Sequence, residues 1–128
     1  LVLHDPQRVY LAPDKYFYPG DESFLEIIGK VAELDGGRPD LLGLSEEWEG
    51  EQGPVVITFS VAGEPSEYRI EAPKYFDPGL IREIDQALED SDRGLYVTDA
   101  LGMPNLILSL PRTTAELLRL QRGWEFFA

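Results

Sequence analysis

The phrase Ala12-Pro13-Asp14-Lys15-Tyr16-Phe17-Tyr18-Pro19-Gly20 returns about sixty residues later as Ala72-Pro73-Lys74-Tyr75-Phe76-Asp77-Pro78-Gly79. Each copy comes after a short alternating stretch that reads as a strand. Each precedes a stretch with the apolar period of an amphipathic helix. The recurrence implies two similar β-α-β-β halves, about 1–62 and 63–128, within a single domain. Duplication of one unit is one origin for the match. Chance is another, since Pro-Gly and aromatic residues commonly precede helices.

The alternating runs locate the strands. Val9 and Leu11 sit on one side of a short strand over residues 8–12. Val55, Ile57, Phe59 and Val61 take one face of the clearest strand, and Val56, Thr58 and Ser60 take the other. Turn residues 62–65 lead to Tyr68, Ile70 and Ala72, so the two runs pair as an antiparallel hairpin. Two further strands are expected over residues 95–98 and 105–110. Residues 38–53 read less clearly. Leu42, Leu44, Glu46 and Trp48 alternate as in an edge strand, but an irregular acidic loop fits nearly as well.

Helix signals complete the pattern. Asp21 is placed to cap a first helix whose stripe is Phe24, Ile27, Ile28, Val31 and Leu34, with Glu26 and Lys30 as an i,i+4 pair. Asp77 and Pro78 are a strong N-cap and N1 for a second helix. That helix buries Leu80, Ile81, Ile84, Ala87 and Leu88 and turns Asp85 outward. Thr113 and Glu116 form a capping box for a third helix, which carries Leu117, Leu118 and Leu120. The expected fold is α+β: a mainly antiparallel sheet with about three helices packed on it. Val55, Ile57, Phe59, Tyr68, Ile70, Ile84, Leu88, Leu106 and Leu108 should meet in one core.

Composition narrows the chemistry. A hydrophobic content of 43% with 27% charged residues belongs to a folded chain. The absence of cysteine excludes disulfides and thiolate chemistry, and it suits a cytoplasmic location. No apolar run approaches the roughly 20 residues of a membrane helix. The 24 acidic and 11 basic residues leave a net charge of −13, which repels nucleic acid and anionic membranes and attracts a basic protein partner.

Catalytic signals are sparse. His4, the one histidine, lies beside Asp5-Pro6 and reads as an exposed bystander. No nucleophile elbow, phosphate-binding loop or dinucleotide fingerprint occurs. Glu89, Asp90 and Asp92 could share a hard cation, but a solvated helix end is the simpler reading. No cofactor is implied.

The residues singled out for partner binding are Tyr16, Tyr75, Glu46, Glu47, Trp48, Glu49 and Glu51. The repeated phrase has two readings: a structural one, the simpler, in which Phe17 and Phe76 anchor the loop to the core before each helix, and a functional one in which Tyr16 and Tyr75 stay exposed as part of a contact surface. Trp48 among carboxylates reads either as an interface anchor with an acidic rim or as the inward residue of an edge strand. Trp124 closes the core after the last helix. The leading expectation is a non-enzymatic, acidic protein-binding domain, in its concrete form an immunity-type inhibitor of a basic toxin or nuclease. An accessory or assembly domain is the first alternative: the chain begins at Leu1 and its one methionine is Met103, as in a piece of a longer protein. A small hydrolase using paired carboxylates is the second.

Overall fold

A computed structural model describes residues 9–12, 16–34, 40–73, 75–89, 92–99, 102 and 105–126. Strand β3 (Val55–Val61) sits at the centre of the first sheet because its odd positions are apolar. Val55, Ile57 and Phe59 are buried and face the core, as their alternation requires. The two-residue turn Ala62-Gly63 has positive φ at both positions, the geometry that suits the twist of an antiparallel hairpin. It leads into β4 (Glu64–Ile70), which pairs with β3 along its whole length. Glu64 and Pro65, expected in the turn, belong to the strand. Pro65 is tolerated because β4 is an edge strand.

The uncertain stretch resolves as the other edge, β2 (Leu41–Trp48), giving the order β2-β3-β4. A bulge between Gly43 and Ser45 shifts its register by one residue. Leu41 is buried before the bulge, whereas Glu46 and Trp48 lie opposite the core-facing Ile57 and Val55 after it. The expected single face of Leu42, Leu44, Glu46 and Trp48 is therefore broken, and Leu42 and Leu44 are exposed.

A second antiparallel sheet has the order β1-β6-β5, from β1 (Val9–Leu11), β6 (Leu106–Pro111) and β5 (Arg93–Thr98). In β1, Tyr10 packs against the main core while Leu11 is exposed, so Leu11 is not the inward residue expected. Each half contributes its last two strands as a hairpin, β2-β3 or β5-β6. Each lends its first strand to the other half: β1 pairs with β6, and β4 with β3. Neither half completes a three-stranded sheet alone.

The helices α1 (Ser23–Glu33) and α2 (Pro78–Leu88) pack on β2 and β5 respectively. Phe24, Ile27, Ile28 and Val31 of α1 meet Leu80, Ile81 and Ile84 of α2 in a core shared by both sheets. Leu106 and Leu108, expected in that core, lie in a second one. There they join Leu110 and Ala115, with Tyr96, Leu118, Trp124 and Phe126 packed alongside. Strand β6 is thus buried on both faces, because α3 (Arg112–Arg122) and the segment after it cover the outer side. Tyr68 and Leu88 are half-buried at the rim of the main core.

Helix starts differ in part from expectation. Asp77 and Pro78 cap α2 as read, the Asp77 carboxylate accepting the Gly79 N–H at 2.9 Å. The N-cap of α1 is Glu22, at φ 53, and not Asp21. Asp21 instead accepts N–H groups from Tyr18 and Ser23, each at 3.1 Å, which closes the turn before the helix. Lys30 lies 3.9 Å from Glu33 and pairs there instead of with Glu26. The Thr113/Glu116 capping box does not form. The helix begins at Arg112, directly after β6, and Glu116 pairs with Arg119. Leu117 and Leu120 are 51% and 68% exposed, since α3 is seated through Ala115 and Leu118. No helix among the described residues is long and apolar enough to cross a membrane.

Candidate binding cleft

The two copies of the repeated phrase meet. Phe17 is buried and packs edge-on against Phe24 of α1, ring centroids 4.7 Å apart at 89°, and Phe76 is buried in the same core. Their neighbours point the other way. Tyr16 and Tyr75 are 56% and 51% exposed, with ring centroids 5.0 Å apart and planes tilted by 33°. In both copies the phenylalanine is buried and the tyrosine just before it lies at the surface.

The turn between β2 and β3 closes the third side. A cleft of about 330 Å³ opens between Tyr16 and Phe17 of the first phrase, Pro73 of the second, and Trp48, Glu51 and Gln52 of the turn. Gly53 permits this closeness. It adopts φ +87, and a Cβ there would run into the Pro73 ring.

Trp48 is held by the bulge in β2. Its indole N–H donates to Glu46 Oε2 at 2.8 Å, and its ring lies 6.3 Å from Phe24. The other oxygen of Glu46 accepts the N–H groups of Phe24 at 2.9 Å and Leu25 at 3.3 Å. A carboxylate on a strand thus satisfies the open N-terminus of α1, where the helix dipole favours negative charge. Trp48 takes the edge-strand position expected of it and also borders the surface. It faces the core side of an edge strand, and it lines a surface cleft.

The nominated acids separate accordingly. Glu46 is occupied by the helix and the indole. Glu49 makes a two-pronged pair with Arg69 at 2.8 and 3.1 Å, which holds its carboxyl below the usual range. Arg69 also donates to Glu71 at 2.7 Å. Glu47 and Glu51 are exposed, and of the nominated acids Glu51 is the one that lines the cleft. The segment 46–51 is therefore not one continuous acidic face.

Two supporting contacts escaped sequence reading. The Tyr68 hydroxyl donates to Asp77 Oδ2 at 3.0 Å, which ties β4 to the start of α2. Burial, and then the Asp77 carboxylate, push the Tyr68 hydroxyl up to about 12. Asp85, expected to face solvent, is half-buried. It accepts the Leu95 N–H at 3.1 Å and lies 3.4 Å from the Arg112 guanidinium, joining α2, β5 and α3. The Gly53-Pro54 pair marks a turn in the sequence, and its role in shaping the cleft emerges only from contact with Pro73.

His4 and Asp90 lie outside the described residues. Among the described residues no three His, Cys, Asp or Glu side chains are grouped to hold a metal ion. No family model matches the chain, and neither a curated protein nor a solved structure matches it. The cleft presents aromatic side chains, one exposed carboxylate and one amide.

Proposed function

We propose that this chain is an acidic protein-binding domain that captures a basic partner, with the cleft at the centre of contact. The observation that carries this reading is the gathering of aromatic side chains at one place on the surface: exposed Tyr16 and half-buried Trp48 line the cleft, and exposed Tyr75 packs against Tyr16. Tyrosine and tryptophan dominate binding hot spots because they cover much area with few rotatable bonds. The net charge of −13 adds long-range attraction for a cationic surface. In its concrete form the domain is an immunity-type inhibitor that covers the basic active-site surface of a toxin or nuclease. A cysteine-free chain suits action in the cytoplasm.

Capture of a partner followed by rate measurements tests the proposal. Tyr16→Ala and Tyr75→Ala remove exposed side chains and spare the core. Each should raise the dissociation rate by roughly tenfold or more. Glu47→Lys with Glu51→Lys should mainly slow association, and the difference should shrink as salt rises. Unaltered rates in all four substitutions would remove the cleft from the interface.

A further inference from the structure

We infer that the cleft receives the guanidinium group of an arginine side chain presented by the basic partner. This rests on the reading of the chain as a binding domain and assigns the chemistry of its central contact. A cleft of about 330 Å³ has room for a long side chain and none for a folded element. Its walls are aromatic on two sides, Tyr16 and Trp48, with Phe17 also lining it. A planar cation stacks on such faces, and arginine does so better than lysine because its charge is spread over a flat, weakly hydrated group.

Trp48 is prepared for this contact. Its N–H is already engaged by Glu46 Oε2, so the ring is held in place before any ligand arrives. Donation to a carboxylate also enriches the indole in electron density, which strengthens its attraction for a cation. Glu51 lines the same cleft and can accept the guanidinium N–H groups in a charge-assisted bond. Its neighbour Gln52 supplies a neutral acceptor.

The alternatives fit less well. An apolar side chain would withdraw Glu51 and Gln52 from water without returning a hydrogen bond. An anionic group would approach a chain of net charge −13. Lys15 and Lys74 precede the two tyrosines in sequence and lie outside the described residues.

The test uses the full chain carrying Trp124→Phe, so that the one remaining indole N–H resonance reports Trp48. The probe is the capped tripeptide Gly-Arg-Gly, and its control is the same peptide with citrulline, which keeps the shape and removes the charge. The arginine peptide should shift the Trp48 resonance saturably. The citrulline peptide should bind about tenfold more weakly, and Glu51→Gln should erase most of that difference. Equal responses to both peptides, or a Trp48 resonance that does not shift with the arginine peptide, would overturn the assignment. The two levels of the proposal fail separately. A captured partner that depends on Tyr16, yet is not competed by the arginine peptide, overturns the arginine assignment and leaves the binding domain standing. Saturable, charge-dependent peptide binding with no protein partner supports the arginine assignment and counts against the protein-binding reading.

Discussion

Strands β3 and β6 occupy matching places. Each is the middle of a three-stranded antiparallel sheet, and each is paired with the first strand of the other half. Both turn one face to the shared core, through Val55, Ile57 and Phe59 in one case and Ile107 in the other. The second faces differ. β6 presents Leu106, Leu108 and Leu110, all buried beneath α3 and the aromatic residues after it. β3 presents Val56, Thr58 and Ser60, of which Val56 and Thr58 are only half-buried. The element after each hairpin accounts for the contrast. β6 runs directly into α3, whereas β3 turns through two residues into β4. A strand with a helix to cover it keeps large apolar residues on its outer face as well, here Leu106, Leu108 and Leu110. A strand without one must tolerate water, and its second face is correspondingly polar.

The largest expected effect tests that contrast directly. Leu108→Ala should cost about 2–5 kcal/mol in denaturant unfolding, because it opens a cavity in the outer cluster. Thr58→Ala, at a corresponding outward position of β3, should cost less than about 1 kcal/mol. Equal losses would mean that the two outer faces are not the different environments described.

The helices on the two sheets sharpen the comparison. α1 is capped across the fold by Glu46 of β2, while α2 is capped by its own Asp77. Glu46→Ala removes two charge-assisted bonds to the helix and one to Trp48, and should cost about 1–3 kcal/mol. It should also change Trp48 fluorescence. Asp77→Ala should cost about 1 kcal/mol, the usual worth of an N-cap, and leave Trp48 unchanged. A larger loss for Asp77→Ala would reverse the order of dependence assigned to the two caps.

The smallest effect belongs to high pH. The folded Tyr68 hydroxyl titrates at about 12, above its ordinary value of 10.0. The protonated phenol is therefore favoured in the folded state. Its contribution is fully present below pH 10 and is lost as the pH rises through 12. The stability difference between the native chain and Tyr68→Phe should shrink over that interval. A difference that stays constant from about pH 9 to about pH 12 would show that the bond to Asp77 does not couple to ionisation.

Much of the local architecture was legible because its causes are local. Period-two alternation over 55–61 located β3 and its buried face, and Ala62-Gly63 announced the hairpin. Asp77-Pro78 announced α2, since a cap and its helix are neighbours in sequence. Both copies of the repeated phrase bury the phenylalanine and expose the tyrosine before it. The bulge at Gly43/Ser45 carried no such mark. One extra residue in an edge strand leaves hydropathy unchanged but reverses the faces beyond it, and this is why the contact of Glu46 with α1 is not legible in the sequence. The Thr113/Glu116 motif misled for a related reason. A capping box needs the chain to enter the helix from a free turn, and β6 delivers it from a strand that runs straight into Arg112.

By itself, then, the sequence determined which residues form strands and helices, which aromatic residues go inside, and that the surface is acidic. These outcomes depend on propensity, capping and spacing within a few residues. Only the tertiary structure decided that each half lends its first strand to the other, that Glu46 reaches α1, and that Tyr16 and Trp48 line one cleft with Tyr75 packed alongside. Those arrangements join residues distant in the chain. They form where chain entropy is offset by packing summed over the whole core, and no local pattern records that sum.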